Sequence, residues 1–275
     1  MLLARETRPG TMQFTDSYAR GRIRLSPPIW ERLRSHSYVS MLYIGATTGI
    51  FAGTHWAELH SLSASKVFLN MLLIFPAALV GARLLFVALH WNVFAHDRMR
   101  IWSRSEGGAA LYGGLVLSFL LSLALHWMIR LPLGRFWDAV AVAMLVGMIF
   151  TRAGCALQGC CAGRPSGSWI AFPMPDVHGV WRRRLPFPLF EVGMAAMTLT
   201  VSVRFLGKSP GGCLFLGALA MYAGGRWLFE PAREKVDRFR GWSVHRMISV
   251  VLIVVGLGGL LLIHALRSAV ATVAH

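Results

Sequence analysis

Seven apolar stretches, separated by polar or glycine-rich segments, dominate this 275-residue chain. A helix needs about 20 mostly apolar residues to cross a bilayer, and most of the stretches approach that length. They cover residues 38–57, 67–90, 109–129, 136–150, 188–206, 213–229 and 244–266. The pattern predicts an all-α integral membrane protein with seven transmembrane helices. It also predicts a polar loop domain, residues 151–186, between the fourth and fifth spans.

The overall composition favours a membrane protein over a soluble domain. Mean hydropathy is +0.54 and charged residues make up 15% of the chain, against about 25% in soluble domains. The 28 basic residues outnumber the 12 acidic ones, which favours contact with anionic lipid. Nucleic acid is the other usual partner of so basic a chain, but the predicted spans argue against it. We therefore expect membrane lipids, and no nucleic acid, as partners.

The segments outside the spans carry much of the positive charge. Residues 1–37 are predicted to form a basic N-terminal arm on anionic headgroups, with a short interfacial helix at 27–33. Residues 38–266 form the membrane domain, and residues 267–275 form a short C-terminal tail. Seven spans place the arm and the loops at 91–108, 151–186 and 231–244 on one face. By the positive-inside rule, that face would be cytoplasmic.

A glycine-rich and cationic segment, Arg152 to Arg164, directly follows the fourth span. Its glycines, Gly154, Gly159 and Gly163, would let backbone N–H groups approach a ligand. The arginines at its two ends can bind an anion with fork geometry. The segment therefore predicts a phosphate cradle at the membrane surface, although its spacing is neither that of a Walker loop nor that of a dinucleotide fingerprint.

Arginines inside predicted spans also indicate an anion site. Such a residue costs about 2.5–3.5 kcal/mol on insertion scales and usually faces the interior of the helix bundle. Arg83 and Arg226 occupy such positions. Tyr222, Arg226, Glu230 and Arg233 recur every three or four residues, which predicts one shared helix face. Two interpretations remain open, namely a structural ion pair between Arg226 and Glu230 and an anion site within the membrane.

Two spans begin with residues that can be interpreted in more than one way. Tyr112, Gly113 and Gly114 open the third span. There, small residues indicate either close helix packing or a tyrosine held beside a substrate. Glu191 is predicted in the first turn of the fifth span, where a carboxylate suits the helix dipole. Capping alone would therefore account for Glu191.

Three of the four cysteines, Cys155, Cys160 and Cys161, lie close together in sequence. Their spacing does not match a four-thiolate zinc site, and the histidine in the same loop is His178. Metal binding and redox chemistry stay open as alternatives to simple apolar packing. We expect no metal and no cofactor.

Five motifs in a fixed order carry a resemblance to a known family. They are Gly81-Ala82-Arg83; Gly107-Gly108 with Tyr112-Gly113-Gly114; Arg152 to Arg164; Pro186 to Glu191; and Tyr222 through Arg226, Glu230 and Arg233. Over roughly residues 79–256 the chain resembles the prolipoprotein diacylglyceryl transferase family of bacterial inner membranes, as a divergent member. The resemblance implies a multi-pass inner-membrane enzyme. Such an enzyme transfers a diacylglyceryl group from phosphatidylglycerol to the lipobox cysteine of a prolipoprotein and releases glycerol phosphate.

The resemblance also implies roles for individual residues. Arg152 and Arg226 would grip the phosphate, and Tyr112 would be a third catalytic residue. The implied substrate-binding residues share the same motifs and are Arg83, Gly113, Gly114, Gly154, Gly159, Gly163, Arg164, Tyr222, Glu230 and Arg233.

The chain departs from the family at polar positions near the expected reaction centre. The family usually has asparagine at the position of Cys155, glutamate at that of Cys160, and often histidine where Tyr112 stands. Tyr112, Glu230 and an altered base at Cys160 therefore remain candidate proton acceptors. The family's catalytic face is periplasmic, opposite to the expectation from the arginine count, and for the membrane core we follow the family.

Two rival functions stay open at this point. One is a catalytically altered relative that binds anionic lipid through the same arginines. The other is a thiol-based redox or metal-handling membrane protein.

Overall fold

The computed structural model describes residues 27–89, 91–94, 111–159, 161, 163–175, 181–233, 238–239 and 242–273. Its α-helices are α1 (Pro27–Leu59), α2 (Ala64–Leu89), α3 (Trp91–Phe94), α4 (Leu111–Ile129), α5 (Leu133–Gln158), α6 (Phe187–Val201), α7 (Cys213–Phe229) and α8 (Val244–Val273). A π-helical segment, Ser202–Leu206, continues α6, and a 3-10 turn, Glu230–Ala232, follows α7. Strand β1 (Phe172–Pro175) pairs antiparallel with β2 (Trp181–Arg184), and β3 (Arg238–Phe239) with β4 (Trp242–Ser243).

Four helices of the described residues are long and apolar enough to cross a membrane. They are Ala64–Ala88, Leu133–Gln158, Phe187–Leu206 and His245–Thr272. A shorter apolar helix covers Gly113–Met128. The mostly helical chain is therefore consistent with the predicted all-α membrane protein, whereas the number of seven spans stays a prediction.

Small residues bring α1 and α5 into close contact. A Cβ atom added at Gly53 would lie 2.6 Å from the carbonyl oxygen of Ala139, and one added at Gly49 would clash with the carbonyl of Ala143. Four residues forward along α1 thus correspond to four residues backward along α5, so the two helices are antiparallel. This close approach is the packing that small residues permit between membrane helices.

Close packing through small residues also joins α2 to α4. A Cβ at Gly81 would clash with the carbonyl of Gly113, and one at Gly113 would clash with that of Gly81. At Gly114 an added Cβ would lie 2.6 Å from the carbonyl oxygen of Ala78. Of the two interpretations of the Gly113-Gly114 pair, the structure supports close helix packing.

Helix α5 lies at the centre of the fold and contacts α1, α6 and α7. Its Trp137 ring packs 5.0 Å from the ring of Phe215 and 5.8 Å from that of Phe119, measured between centroids. Next to Trp137 in this apolar core, the buried Asp138 carboxylate accepts hydrogen bonds of 2.9 Å from the backbone N–H groups of Gly212 and Phe215. A carboxylate from α5 thus caps the N-terminus of α7.

Helix α5 is longer than the apolar pattern predicted. It continues past Arg152 to Gln158 and ends at Gly159, whose φ of 76° is the left-handed conformation typical of glycine after a helix. The prediction of a loop from residue 151 is therefore wrong in its first part. Arg152, Gly154 and Cys155 lie on the last turns of a helix long and apolar enough to cross a membrane.

Helix α7 has the predicted bounds, Cys213–Phe229, but the helical face predicted for its polar residues does not continue beyond it. Pro231 cannot donate a backbone N–H, so the α-helix ends at Phe229 and Glu230 enters a 3-10 turn. Arg233 is extended, with φ −75° and ψ 148°. The prediction that Tyr222 and Arg233 share a helical face is therefore wrong.

The first and last helices also exceed their predicted bounds. Helix α1 runs without a break from Pro27, so the predicted interfacial helix at 27–33 is the beginning of this helix. Helix α8 continues to Val273, into the predicted tail. The rest of the basic arm, residues 1–26, lies outside the described residues.

Candidate active site

A buried glutamate joins two arginines from different helices. Glu191, on α6, is only 2% exposed. Its Oε1 accepts a hydrogen bond of 2.7 Å from Nη1 of Arg226 on α7. Its Oε2 lies 3.1 Å from Nε of Arg152 on α5, an ion pair in which the N–H does not point at the oxygen. Three helices thus meet at one carboxylate, whose burial is compatible with charge because it is paired.

Further charged and aromatic groups surround this pair. Nη2 of Arg226 lies 3.8 Å from Oε2 of the buried Glu230, and Glu230 Oε1 accepts a 3.1 Å hydrogen bond from the Ser243 hydroxyl. The guanidinium groups of Arg226 and Arg233 each lie 5.6 Å from the centroid of the Phe187 ring, within cation–π range. The Arg226–Glu230 ion pair considered from sequence exists, but Glu191 is the closer partner.

Tyr222 lies one turn before Arg226 on α7 and reaches Arg152 on α5. Its side chain is half-buried and interacts with the Arg152 guanidinium. Arg233 also interacts electrostatically with Glu191. We call the five residues Arg152, Glu191, Tyr222, Arg226 and Glu230 the arginine cluster, with Arg233 at its edge.

Local sequence dictates how the chain reaches this arrangement. Helix α6 begins directly after Pro186, and a second proline at its N-terminus suits the fixed φ of the first helical turn. The segment leaving α5 folds back onto this start. The N–H of Gly163 donates to the carbonyl of Leu185 at 3.0 Å, and that of Arg164 to the carbonyl of Ala232 at 2.9 Å. The ends of α5, α6 and α7 that carry the cluster are thereby tied together.

The glycines of the Arg152–Arg164 segment serve the packing and the backbone. Gly154 allows α5 to approach Met41 of α1, where an added Cβ would lie 2.7 Å from the Met41 Cβ. Gly159 ends α5, and its N–H donates to the carbonyl of Cys155. A Cβ at Gly163 would lie 2.7 Å from the carbonyl oxygens of Ala232 and Leu185. Because the N–H groups of Gly159 and Gly163 are already bonded within the chain, a cradle made of their amides is not what the structure shows.

Some predicted site residues lie outside the cluster or outside the described part of the chain. The Arg83 guanidinium packs 5.6 Å from the ring centroids of Phe86 and Phe94, and its helix contacts α4, α1, α3 and α5. Arg164 is exposed. Tyr112 lies in the first turn of α4, but its side chain is outside the described residues, as is all of Cys160.

The three described cysteines lie at two places in the fold, two near Arg152 and one at the start of α7. Cys155 is buried and Cys161 is exposed, and both interact electrostatically with Arg152. Cys213 is buried at the start of α7, at the opposite end from Arg226. Among the residues that the structure describes, no three His, Cys, Asp or Glu side chains are grouped to hold a metal ion.

Glu191 is the central residue that sequence reasoning misjudged. The sequence predicts a capping role in the first turn, but Glu191 is the fifth residue of α6 and no side chain caps this helix. A usable signal was available, because an intramembrane arginine usually pairs with another residue of the bundle. A search for a carboxylate near the same end of a neighbouring span would have found Glu191.

The arrangement can bind an anion at one end of the helices. Arg152 and Arg226 side chains are 28% and 15% exposed, whereas the carboxylate between them is nearly inaccessible. Guanidinium groups offer planar, forked donors that match phosphate oxygens. The fold and the site therefore define an α-helical membrane protein with a partly exposed cluster of arginines paired with buried carboxylates.

Comparison with known proteins gives the family. A family model described as prolipoprotein diacylglyceryl transferase matches residues 28–262. The chain belongs to the prolipoprotein diacylglyceryl transferase family, and the resemblance found in its motifs is confirmed.

Relatives with an assigned name agree with the family. Two of them, from Streptococcus pyogenes serotype M5 (strain Manfredo) and serotype M49 (strain NZ131), are named phosphatidylglycerol–prolipoprotein diacylglyceryl transferase. Each is 25% identical to this chain over 233 residues, which is 82% of this chain and 89% of the relative.

Proposed function

We propose that this protein transfers a diacylglyceryl group from phosphatidylglycerol to the lipobox cysteine of a prolipoprotein and releases glycerol phosphate. Family membership supports the reaction class. The observation that carries the proposal for this chain is the placement of Arg152 and Arg226, from two helices, around one point at the end of the bundle.

The chemistry of the reaction explains why guanidinium groups would lie beside the phosphate of the lipid headgroup. The acceptor thiolate attacks the carbon of the diacylglyceryl group that is bonded to the phosphate oxygen. A C–S bond forms, and the C–O bond between that carbon and the phosphate breaks, so that glycerol phosphate leaves. Negative charge develops on the departing phosphate oxygen. Fixed donors at that position stabilise the transition state more than the ground state. Arg152 and Arg226 fill this role as the phosphate-binding catalytic residues.

The remaining site residues position the two arginines and shape the surrounding protein. Tyr222 orients Arg152, Glu230 orients Arg226, and Arg233 adds positive charge at the edge of the cluster. Arg83, Arg164 and the glycines at 113, 114, 154, 159 and 163 shape the protein around the headgroup and its acyl chains. Tyr112, Cys160 and Glu230 are the candidate proton acceptors for the thiol.

The protein spans the bacterial inner membrane seven times in this proposal. Helices α1, α4 and α7 join the four long apolar helices as spans. The arginine cluster lies at the periplasmic face, where prolipoproteins present their lipobox. A basic arm precedes α1, and the transferase domain extends from α1 to α8. The reaction needs no cofactor.

A transfer assay with phosphatidylglycerol vesicles and a lipobox peptide tests the proposal. The purified protein should form the diacylglyceryl thioether. Arg152→Ala and Arg226→Ala should each lower the rate by at least about 100-fold, because each removes a charge-stabilising donor. The matched control is Arg204→Ala, which removes an exposed arginine near the other end of α6 and should leave the rate unchanged.

The assay also separates the rival functions. Folded wild-type protein that retains phosphatidylglycerol but forms no thioether would contradict the transferase and favour a lipid-binding relative. Near-normal rates in both arginine variants would contradict the phosphate role. Growth of cells depleted of their own transferase gives an independent check, because a well-expressed active copy should restore it.

A further inference from the structure

One carboxylate holds both of the arginines proposed to bind the headgroup. Glu191 uses Oε1 for Arg226, at 2.7 Å, and Oε2 for Arg152, at 3.1 Å. The two guanidinium groups come from α7 and α5. Like charges placed this close repel each other, so the carboxylate between them is what allows them to share one position.

The carboxylate lies behind the guanidinium groups as seen from solvent. Glu191 is 2% exposed, against 28% for the Arg152 side chain and 15% for that of Arg226. A guanidinium carries five N–H donors, so its contact with Glu191 leaves others for a ligand. An incoming headgroup therefore meets the arginines and does not reach Glu191.

The buried carboxylate of Glu191 is not explained by helix capping, and the second acid of the cluster could not take its place. No side chain caps α6, so Glu191 is not a capping residue. Glu230, the second acid of the cluster, is 3.8 Å from Arg226 and bonded to Ser243, so it does not replace the link to Arg152. Glu191 joins the two guanidinium groups directly.

We propose that Glu191 is the positioning and selectivity residue of the headgroup site. Its carboxylate fixes Arg152 and Arg226 beside each other and cancels one of their charges. Because Arg233 offsets the second acid, Glu230, the site keeps one net positive charge and favours a lipid headgroup with a single negative charge. The inference rests on the proposed headgroup role of the two arginines. It concerns lipid choice, so it can be measured without any transfer reaction.

The decisive variant is Glu191→Gln, which keeps the shape of the side chain and removes its negative charge, so that the net charge of the site rises by one. The protein is purified from nanodiscs that contain equal amounts of phosphatidylglycerol and phosphatidic acid, whose phosphate monoester can carry two negative charges. The ratio of the two lipids retained is measured by mass spectrometry. We expect the ratio to move toward phosphatidic acid by about tenfold, the size of one charged hydrogen-bond interaction.

Transfer is measured on the same samples. Loss of the link should leave the arginines misplaced, and a misplacement of about 1 Å can lower a rate by about 100-fold. The control Glu58→Gln makes the same chemical change at an exposed position and should alter neither the lipid ratio nor the rate. Melting temperatures of all three proteins establish that they are folded.

The outcomes are distinguishable. A folded Glu191→Gln protein with an unchanged lipid ratio overturns the selectivity role, and one with wild-type turnover overturns the positioning role. If wild-type protein itself makes no thioether, the proposed transferase fails, while the lipid ratio still decides the role of Glu191. If Glu191→Gln does not fold, Glu191→Asp carries the test. It keeps the charge, so the lipid ratio should hold while transfer falls, and a shifted ratio overturns the proposal.

Discussion

At the scale of single residues, two buried carboxylates organise opposite ends of the same helices. Glu191 pairs with Arg152 near the C-terminal end of α5, and Asp138 near the N-terminal end of α5 caps α7. Both acids are almost fully buried, at 2% and 1% exposure. Each therefore depends on its partners, because an unpaired buried charge is strongly destabilising. The two acids differ in that one serves the site and the other serves the fold.

The role of Asp138 gives a prediction about stability. In Asp138→Asn one oxygen becomes an N–H₂ group that faces a backbone N–H, and a charge-assisted bond is lost. We expect a loss of about 2 kcal/mol in unfolding free energy, the usual worth of a hydrogen bond to a charged group. Thermal unfolding in detergent measures it, with Glu58→Gln as the exposed control. An unchanged melting temperature would contradict the capping role.

The site could be predicted from sequence only in part, and for a physical reason. Arg226 was identifiable because a charged side chain inside a membrane span is costly and usually has a partner in the bundle. Arg152 was identifiable because it directly follows an apolar stretch. Their common partner Glu191 was not identifiable, because its distance to Arg152 depends on how three helices pack. From the sequence alone, a capping role was enough to explain it. The glycines at 159 and 163 were identifiable as special backbone positions, but the partners of their N–H groups depend on how the following segment folds back.

Among the structural elements, two helix pairs approach each other closely at small residues. Helices α1 and α5 approach at Gly49 and Gly53, and α2 and α4 at Gly81 and Gly113. Because α5 also contacts α6 and α7, the α1–α5 contact supports the helix that carries Arg152. Element type and order were readable from hydropathy, and so was the end of α7 at Phe229. The end of α5 was not, because it depends on the backbone conformation of Gly159.

A leucine at Gly49 tests this packing. Its side chain would meet the backbone of Ala143, and neither helix backbone can move aside cheaply. We expect a destabilisation of about 1–3 kcal/mol, as for overpacked contacts in general, measured as a lower melting temperature in nanodiscs. Gly258→Leu is the matched control, because an added Cβ at Gly258 in α8 meets nothing within 4 Å. Equal effects of the two variants would argue against the α1–α5 contact.

At the scale of the whole molecule, basic residues occur at both ends of the bundle. The end that carries the cluster holds arginines tied to the site. The opposite end holds Arg130 and Lys208 in its connections and Arg204 at the end of the α6 continuation, and Arg267 lies near Cys213 at the same end. In the proposed orientation, the arginines of the cluster serve the site, and the basic residues at the opposite end supply the positive charge expected on the cytoplasmic side.

Reporter fusions test this orientation. A fluorescent protein that folds only in the cytoplasm should fluoresce when fused after residue 275 or within the α6–α7 connection. It should stay dark in the segment between α5 and α6, which carries Gly163 and Arg164. Equal expression of all fusions is the control. The reverse pattern would place the cluster in the cytoplasm and contradict the proposed periplasmic reaction.

In the proposed mechanism, the guanidinium groups of Arg152 and Arg226 meet at one lipid phosphate. The most direct measurement is an experimental structure of the protein in nanodiscs that contain phosphatidylglycerol. We predict the headgroup phosphate at hydrogen-bond distance, about 2.7–2.9 Å, from the guanidinium nitrogens of both Arg152 and Arg226, with Glu191 still between them. A bound headgroup elsewhere, with both arginines engaged only by Glu191 and Glu230, would contradict the proposed phosphate-binding role.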